Sequence, residues 1–477
     1  MSRLRSAAVL AFALAGSLGC ALGPDYARPE LPTTPTFRDA PEQQASIADL
    51  PWWEVFKDET LQSLVRESLE NNRDLAAAVS NMEQSRDVAA VQRGELFPQI
   101  GYVGVASRGK QTSISAFDTS TSNTSSVYAG AFNAAWEVDL WGRIRRATEA
   151  SKAEMLASDA VRRGVVLSLV TGVAQAYLEL RELDLELEIS NRTVQSFQAM
   201  HDLFERQFRG GVTSKLDPLR AEAALAQAQS TVPVIEARIR AKENQLAVLL
   251  GRPPGPIPRG ESLLAQALPP EIPAGVPSLL LERRPDLIEA EQSLISANAQ
   301  IGVAFAGFFP RIGLTALWGS ATTELDDFLK SGTAAWSRAA AVTGPLVTFG
   351  RTWYTWESAK AADASGVAHY QQSVLAALAD VSNALTAREK VTAQRISLER
   401  QVAALQESVG LAQKRYVGGL ATYFEVLDAQ QQLFPAEITL AQAQRDERLV
   451  IVDLYRALGG GWSQAGEPPA IPLPFAP

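Results

Sequence analysis

The chain carries very few side chains of the kinds that perform covalent or metal chemistry. Among 477 residues there is one cysteine, Cys20, and there are two histidines, His201 and His369. A zinc-type site needs three or four clustered ligands, and a hydrolase nucleophile needs a base beside it. Because the two histidines lie 168 positions apart, the sequence predicts neither a metal site nor an enzyme. With a single cysteine, no disulfide can form within the chain.

The surroundings of Cys20 predict that this cysteine is modified. Two arginines precede an apolar run of 13 residues, 7–19, which suits a signal peptide and is too short to span a bilayer. The run ends in SLGC, which resembles the bacterial lipobox, where the cysteine is acylated. We therefore expect residues 1–19 to be a signal peptide and residues 20–57 to form a lipid-anchored, extended arm that is rich in proline. The alternative is an ordinary signal peptide with a chance cysteine.

Charge and hydropathy narrow the possible partners and the location. The net charge is −9, which argues against nucleic acid as a partner. No later apolar run reaches about 18 residues, so no transmembrane helix is expected. Residue 21 is alanine rather than aspartate. By resemblance to bacterial lipoprotein sorting, that choice favours outer-membrane lipid as the partner, with a helical domain of the chain in the periplasm. The covalent lipid is the only cofactor that we expect.

The chain repeats itself. The segment RQFRGGVTSKLDPLRAEAALAQ (206–227) matches KRYVGGLATYFEVLDAQQQLFP (414–435) at an offset of 208 residues. The segment GELFPQIG (94–101) matches AGFFPRIG (306–313) at an offset of 212 residues. Such spacing indicates a tandem duplication of one structural unit.

The duplication divides the mature chain. The first copy covers residues 58–251 and the second covers residues 278–459, with a proline-rich joint at 252–277 and a tail at 460–477. Each copy predicts a helix, two strands, a long helix and a further helix. The two long segments, 143–208 and 352–416, contain no proline.

At about 1.5 Å per residue, each long segment would form a helix of about 100 Å, which is typical of coiled coils. The first helix, residues 58–93, ends before Phe97-Pro98 because proline disfavours helical backbone in the residue before it. The predicted fold class is therefore mainly α with a small β part, built from long helical hairpins and four strands.

The turn after each long helix has the same residue types in both copies. Two adjacent glycines would supply the positive φ angles that end a helix. A hydroxyl residue followed three positions later by an acid predicts a capping box for the next helix. These residues are Gly210, Gly211, Ser214 and Asp217 in the first copy, and Gly418, Gly419, Thr422 and Glu425 in the second. They mark the tips of two antiparallel helical hairpins.

The predicted strands alternate between an apolar face and a face of small or polar residues. Segments of about ten residues with aromatic residues near their ends suit an outer-membrane barrel. A soluble sheet packed on a core would give the same alternation. Arg338 interrupts the apolar face of the last strand, so it should lie near an interface. The serine- and threonine-rich residues 110–126 predict a polar loop at a hairpin tip.

Four strands cannot close a membrane barrel by themselves, because about eight are the minimum. An open sheet edge in lipid would leave backbone groups without hydrogen bonds. A membrane barrel would therefore have to be shared between subunits. The strand count permits a dimer or a trimer and does not choose between them.

The lipobox, the duplication, FP before the strands, WG or FG after them, and the segment RYVGGLATYFEVLDAQ together resemble the TolC-like outer-membrane factors. The resemblance is strongest to the lipoprotein branch that serves resistance-nodulation-division exporters. It implies a homotrimer with a 12-stranded outer-membrane barrel and a 12-helix periplasmic tunnel. It also implies a passive exit duct that works with a periplasmic membrane-fusion adaptor and an inner-membrane pump of that class.

The same resemblance implies a gate at the periplasmic tips. Phe424 would form an apolar constriction, Asp428 an acidic ring, and Gln431 lies on the same helix face. Many relatives carry arginine at the position of Gln431, so a salt bridge is lost here. Arg220 occupies the position of Asp428 in the first copy. The plainer interpretation is that Asp428 is an ordinary solvated helix residue.

Two other functions stay open at this point. The same fold could serve peptide or protein secretion, or metal-ion efflux. Alternatively, the chain could be a lipid-anchored periplasmic coiled-coil scaffold without a pore. A scaffold should become water-soluble once its lipid is removed, whereas a channel should still need detergent.

Overall fold

The structure is a computed structural model that describes residues 21–31, 57–115, 118–266 and 280–460. The predicted signal peptide, Cys20 itself and nearly all of the predicted tail lie outside these residues. Parts of the predicted arm and of the proline-rich joint also lie outside them.

Helices dominate the described part of the chain, and two of them are 67 residues long. The helices are α1 (Glu59–Asn71), α2 (Arg73–Gly94), α3 (Arg143–Arg209), α4 (Leu216–Leu249), the short α5 (Leu280–Arg283), α6 (Pro285–Ala306), α7 (Arg351–Val417) and α8 (Tyr423–Ala457). The strands are β1 (Gln99–Ser115), β2 (Asp118–Val138), β3 (Arg311–Thr322) and β4 (Ala334–Thr343). The predicted order of a helix, two strands, a long helix and a further helix is confirmed in each copy, except that two helices stand where the first was predicted. Among the helices described, none is long and apolar enough to cross a membrane.

The prediction of one unbroken first helix over residues 58–93 is wrong, because the backbone leaves the helical conformation at Asn72. That residue is extended, with φ −64° and ψ 132°. Its side-chain oxygen accepts from the Leu75 amide at 2.9 Å, and its side-chain nitrogen donates to the Leu249 carbonyl at 2.9 Å. Asparagine competes for backbone hydrogen bonds in this way, so it ends α1 and caps α2.

The four strands form one antiparallel sheet in the order β1-β2-β3-β4. Gln99 lies opposite Ala135 in the first hairpin, and Arg311 lies opposite Thr343 in the second. Under the two offsets of the internal repeat, these are the same pair. The two copies therefore build hairpins of identical register.

The first hairpin is longer than predicted. β1 has 17 residues and β2 has 21, whereas strands of about ten residues and a loop over 110–126 were expected. Paired backbone continues from Gln99 to Ser115. Threonine favours extended backbone, so the composition that indicated a loop also suits a strand beyond the apolar band.

The larger of two clusters of buried apolar side chains lies in the helical part and includes Tyr177, Tyr370 and Tyr455. A second cluster joins the ends of α3, α4, α7 and α8, where the two helical hairpins turn. At the other end of α3 and α7 lies the four-stranded sheet. The candidate functional regions are the hairpin tips, the sheet, and the junction between the helices and the sheet.

Candidate functional site

The two hairpin turns have the same backbone geometry. Gly211 and Gly419 are left-handed, with φ 71° and 69°, whereas Gly210 and Gly418 stay in the right-handed helical region. The prediction of positive φ is therefore right for the second glycine of each pair and wrong for the first. In both turns the amide after the left-handed glycine donates to a carbonyl five residues earlier at 2.9 Å, which closes the helix end.

The two predicted capping boxes are absent. The hydroxyl of Ser214 accepts from the Leu216 amide, but the Asp217 carboxylate accepts from Thr213 instead of reaching back to the helix start. Aspartate is one methylene shorter than the glutamate of a capping box. Thr422 does occupy the N-cap of α8, but its side chain makes no cap bond. In that turn the Glu425 carboxylate lies 3.5 Å from the Arg415 guanidinium.

Three aromatic rings lock the two hairpins together at the tips. The ring of Phe204 lies 4.2 Å from that of Tyr423 and 6.1 Å from that of Tyr416, measured between centroids. The Tyr416 hydroxyl donates to the Gln207 side chain at 3.2 Å. Burial raises the pKa of Tyr423, so its hydroxyl stays neutral. This cluster takes side chains from both copies and so joins the two tips by packing.

The three candidate gate residues lie on the opposite face of α8 from this cluster. Phe424, Asp428 and Gln431 are all exposed, whereas the neighbouring Val426 and Leu427 are buried. The Asp428 carboxylate accepts from the side chain of Gln432 at 2.8 Å. The structure therefore brings the three predicted residues onto one open face at the tip. Arg220, which occupies the position of Asp428 in the first copy, is exposed on α4.

One face of the sheet presents a continuous row of aromatic side chains. The four are 60 to 85 % exposed. They lie directly opposite one another across all four strands, in the order Tyr102, Phe132, Trp318, Trp336. Arg338 lies 5.8 Å from the Trp336 ring. Its side chain is thus next to an aromatic residue of the kind that occupies membrane interfaces.

The other face of the sheet carries small side chains at the neighbouring register positions. These are Val103, Ala131, Gly319 and Ala335. A sheet with bulky aromatic residues on one side and small residues on the other suits a wall between lipid and a lumen.

The N-terminal arm is seated at the junction between sheet and helices. The Leu22 amide donates to the Trp141 carbonyl at 3.1 Å. The buried Arg146 donates to the carbonyls of Leu22 and Gly23 and pairs with Asp25 at 2.6 Å. Gly23 has φ 104°, and a Cβ atom there would lie 2.6 Å from the Gly302 Cα atom. The backbone of the arm therefore lies so close to α6 that a side chain at position 23 would clash with Gly302.

A second clamp holds the arm further along. Arg28 makes a two-pronged salt bridge to Glu291 on α6, at 2.6 and 2.7 Å, and Tyr26 donates to the same carboxylate at 3.0 Å. Burial and this carboxylate raise the pKa of Tyr26. Sequence reasoning missed Arg146 and Glu291. The sequence signal that could have indicated Arg146 is a difference between the two copies. Tyr354 occupies the position in the second copy that corresponds to Arg146.

Within the described ranges, no group of three or more His, Cys, Asp or Glu side chains could hold a metal ion.

Comparison with known proteins gives a family match in both halves of the chain. The family model described as "Outer membrane efflux protein" matches residues 64–252 and again residues 276–460. The solvent efflux pump outer membrane protein SrpC of Pseudomonas putida is 36% identical over 95% of this chain and 97% of its own length. The cation efflux system protein CusC of Escherichia coli is 30% identical over 96% of this chain and 99% of its own length.

The fold is also that of a solved channel. The open state of the Neisseria gonorrhoeae MtrE outer membrane channel superposes with a TM-score of 0.84 and 33% sequence identity. The match covers 93% of this chain and 99% of that one.

Proposed function

This chain belongs to the outer membrane efflux protein family and is an outer-membrane efflux channel, and we propose that it is the trimeric exit duct of a tripartite exporter. It receives organic small molecules from an inner-membrane resistance-nodulation-division pump through a periplasmic adaptor. It conducts them passively and performs no chemistry on them.

One observation carries this proposal. The chain joins a four-stranded sheet with a lipid-type aromatic row to two helical hairpins, and the long helix of each hairpin is about 100 Å at about 1.5 Å per residue. That length is enough to reach far into the periplasm from the outer membrane. Among the described residues, no further strand pairs with either outer edge of the sheet. Three copies supply twelve strands and can close a barrel without an open edge.

The cargo class is proposed from the relatives. SrpC, which is named for solvents, is 36% identical to this chain, and CusC, which is named for cations, is 30% identical. We therefore propose apolar or amphipathic organic molecules as cargo. Efflux of metal cations is the second candidate, and the similarity to CusC favours it.

The gate is proposed at the exposed tip face of α8. Three Asp428 carboxylates around the axis would repel one another and attract cations, as rings of acidic side chains do in channels. Phe424 stands one turn before Asp428 and would narrow the same opening. Gln431 cannot form a salt bridge, so the closed state depends on these two residues.

The lipid anchor is proposed at Cys20. Ala21 and Leu22 are held beside Trp141. Acyl chains on the preceding residue would therefore start at the junction between sheet and helices, where the inner leaflet would meet the protein. Acyl chains bind membranes through buried CH₂ groups, and more than one chain makes anchoring stable.

Single-channel recording in planar bilayers tests the channel and the gate together. The wild type should give small, cation-selective currents. Asp428→Ala should give larger currents with weaker cation selectivity. Glu407→Gln removes an exposed carboxylate from α7, about 15 Å from the tip at about 1.5 Å per residue, and should behave like the wild type.

Each failure has a separate meaning. Currents that Asp428→Ala leaves unchanged would keep the channel and discard this gate. A protein that gives no current, runs as a monomer and is soluble without detergent once its lipid is removed would support the scaffold instead.

A further inference from the structure

Two pairs of helices meet end to end beside α3. Asn72, directly before α2, donates from its side chain to the carbonyl of Leu249 at the end of α4, at 2.9 Å. Arg284, directly before α6, donates to the carbonyl of Ala457 at the end of α8, at 3.0 Å. Under the offsets of the internal repeat these two bridges are equivalent. α3 runs past both joints without a break.

The two sides of α3 differ at the height of these joints. Val166 and Val173 are buried in the same cluster as Leu64 of α1. Gly164 and Ser168 lie on the other side of the helix, since about 3.6 residues per turn places them roughly 140 to 180° around the axis from the two valines. Ser168 is exposed. One side of α3 is therefore packed, and the other side is open.

The packed side of α3 belongs to the outer surface of the helical wall. Tyr26 and Leu31 of the N-terminal arm pack against the same buried cluster as α1. The arm begins at the proposed lipid, and acyl chains can enter the bilayer only from the outside of a barrel. Gly164 and Ser168 therefore face the lumen in the proposed trimer.

Two adjoining cavities open on this inner side of the wall. Their volumes are about 520 and 490 Å³, and both are lined by Gly164, Ser168, Pro285 and Asp286. Pockets for drug-sized molecules have volumes of about 300–1,000 Å³. We call the larger one the inner cavity. Its floor is made of aliphatic side chains, namely those of Ala160, Val161, Val165, Leu169 and Leu249.

A glycine leaves room in this floor. A Cβ atom at Gly164 would meet the Cβ atom of Pro285 at 3.8 Å, which is an ordinary contact distance. On α7 the repeat counterpart of Gly164 is Gln372, and that of Val161 is His369. The duplicated fold thus accepts large polar residues at these positions. The small, apolar floor is a property of α3 and is not required by the fold.

Carboxylates surround the floor. Asp74, Asp286 and Glu289 line the inner cavity, and Asp286 is paired with Arg284 at 2.7 Å. Asp74 and Asp286 lie in the first turns of their helices, where acids stabilise a helix. Glu289 lies beyond the first turn of α6 and accepts from the Ser293 hydroxyl at 3.1 Å. Among the residues described, neither Asp74 nor Glu289 forms a salt bridge.

We propose that the inner cavity binds organic cations that carry an apolar body, and that it holds them on the tunnel wall during their passage. The aliphatic floor takes the apolar body, and the carboxylates of Asp74 and Glu289 attract the positive group. This inference deepens the proposed function and rests on it, since the cavity lines a tunnel only in the proposed trimer. It names the class of cargo that the wall retains.

The chemistry of the cavity favours an organic cation over a metal ion. Aliphatic side chains offer no ligand atoms to a metal. Within the described ranges, no three acidic, histidine or cysteine side chains are grouped so that they could hold one.

Two ligands of nearly the same shape test the role of charge. Methyltriphenylphosphonium is a permanent cation, and triphenylphosphine oxide is its neutral counterpart. Equilibrium dialysis of the purified trimer in detergent, against the same detergent without protein, measures binding beyond the uptake by micelles. The cation should bind at one site per protomer, and the neutral oxide should bind about tenfold more weakly.

Removal of one rim carboxylate should act on the cation alone. Glu289→Gln should weaken binding of methyltriphenylphosphonium about fivefold and leave binding of the oxide unchanged. Glu70→Gln is the matched control, because it removes an exposed carboxylate from α1, on the outer side of the wall. It should change neither affinity.

Filling the floor should act on both ligands. Gly164→Leu should weaken the binding of the cation and of the oxide about tenfold, because the new side chain occupies the space that the apolar body needs. Gly410→Leu makes the same substitution on α7, at a position where a Cβ atom meets nothing within 4 Å. It should leave both affinities unchanged.

Single-channel recording tests whether the cavity faces the lumen. Methyltriphenylphosphonium should reduce the cation current of the wild type, because a bound positive charge repels cations that pass it. It should reduce the current of Glu289→Gln less.

The outcomes separate this inference from the proposed function. Equal affinities for the two ligands, or a cation affinity that neither Glu289→Gln nor Gly164→Leu weakens, would overturn the site. Binding that leaves the current unchanged would place the cavity outside the lumen and would also overturn it. In each of these cases a protein that conducts keeps its proposed function. A protein that forms no pore and binds no cation overturns both.

Discussion

The carboxyl group of Glu182 is almost completely buried. It is 1% exposed and lies on α3 near Glu186, which is buried to the same extent. Glu186 has the better partners, with Arg238 at 2.8 Å and the side chain of Gln442 at 2.8 Å. Arg445 lies 3.3 Å from Glu182. Burial, and then the hydrogen bond and negative charge of Glu186, raise the pKa of Glu182 to about 8.

The raised pKa predicts how stability changes with pH. Unfolded Glu182 would ionise near pH 4.5 and folded Glu182 near pH 8, so its contribution to stability is complete below about pH 4.5 and is lost as the pH rises through 8. Glu182→Gln keeps the hydrogen-bond donor and removes the titration. Its unfolding temperature should match the wild type at pH 5 and exceed it by a few degrees at pH 9, since each pKa unit corresponds to about 1.4 kcal/mol.

Thermal unfolding followed by circular dichroism measures this difference. Glu188→Gln is the matched control, because Glu188 is exposed on the same helix and should leave the pH profile unchanged. Parallel pH profiles for wild type and Glu182→Gln would show that Glu182 is already ionised in the fold.

At this scale the sequence predicted positions better than interactions. Phe424, Asp428 and Gln431 could be placed on one helix face because helical spacing is regular. The partners of the Asp217 and Glu425 carboxylates could not be predicted, because each carboxylate binds the nearest available donor. Arg146 and Glu291 were missed because their partners are 121 and 263 residues away in the chain.

At the level of the elements, the start of the N-terminal arm is in close contact with Gly302 of α6. A Cβ atom on Gly302 would lie 2.5 Å from the Leu22 carbonyl oxygen and 2.9 Å from the Arg146 side chain. Gly302→Ala should therefore lift the arm and free the Leu22 amide. Amide hydrogen exchange of a peptide spanning residues 21–31 should speed up by about tenfold for each 1.4 kcal/mol of lost docking energy.

Gly172→Ala is the matched control for this experiment. It makes the same substitution on α3, at a position where a Cβ atom meets nothing within 4 Å. Exchange at Leu22 that is equally slow in wild type and Gly302→Ala would show that the arm does not depend on this contact.

The elements themselves were predictable wherever the chain pattern is long and uniform. The segments 143–208 and 352–416 became the 67-residue helices α3 and α7. The break at Asn72 was not predictable from periodicity, because a side chain contact to Leu249 fixes it. The length of β1 and β2 was underestimated for a similar reason, since pairing between the strands extends them beyond the apolar band.

For the whole molecule, the proposed lipid and the proposed barrel would be two separate attachments to the membrane. Cys20→Ser should abolish labelling with fatty acid, whereas Ala27→Ser on the exposed part of the arm should not. The unlipidated protein should still be recovered in outer-membrane fractions as a detergent-requiring oligomer, because the aromatic row provides its own apolar band. Label on Cys20→Ser would exclude this lipid site, and release of that variant into the periplasm would show that the sheet does not insert.

The overall architecture was predictable through the family resemblance, and the similarity to MtrE confirms the protomer fold. The residues alone left open whether the strands belong to a membrane barrel or a soluble sheet. Periodicity records which face is apolar, and it does not record whether lipid or protein covers that face.

The shared hairpin register also bears on the history of the molecule. An ancestor with only one copy would have needed six chains to present the twelve strands of the proposed barrel. Fusion of two copies halves the number of chains that must find each other, and each association lost spares its cost in translational freedom. It also frees the six tips from being identical. Asp428 at one tip and Arg220 at the other show that the two copies have diverged there. In the proposed trimer, the pore entrance would therefore have threefold rather than sixfold symmetry.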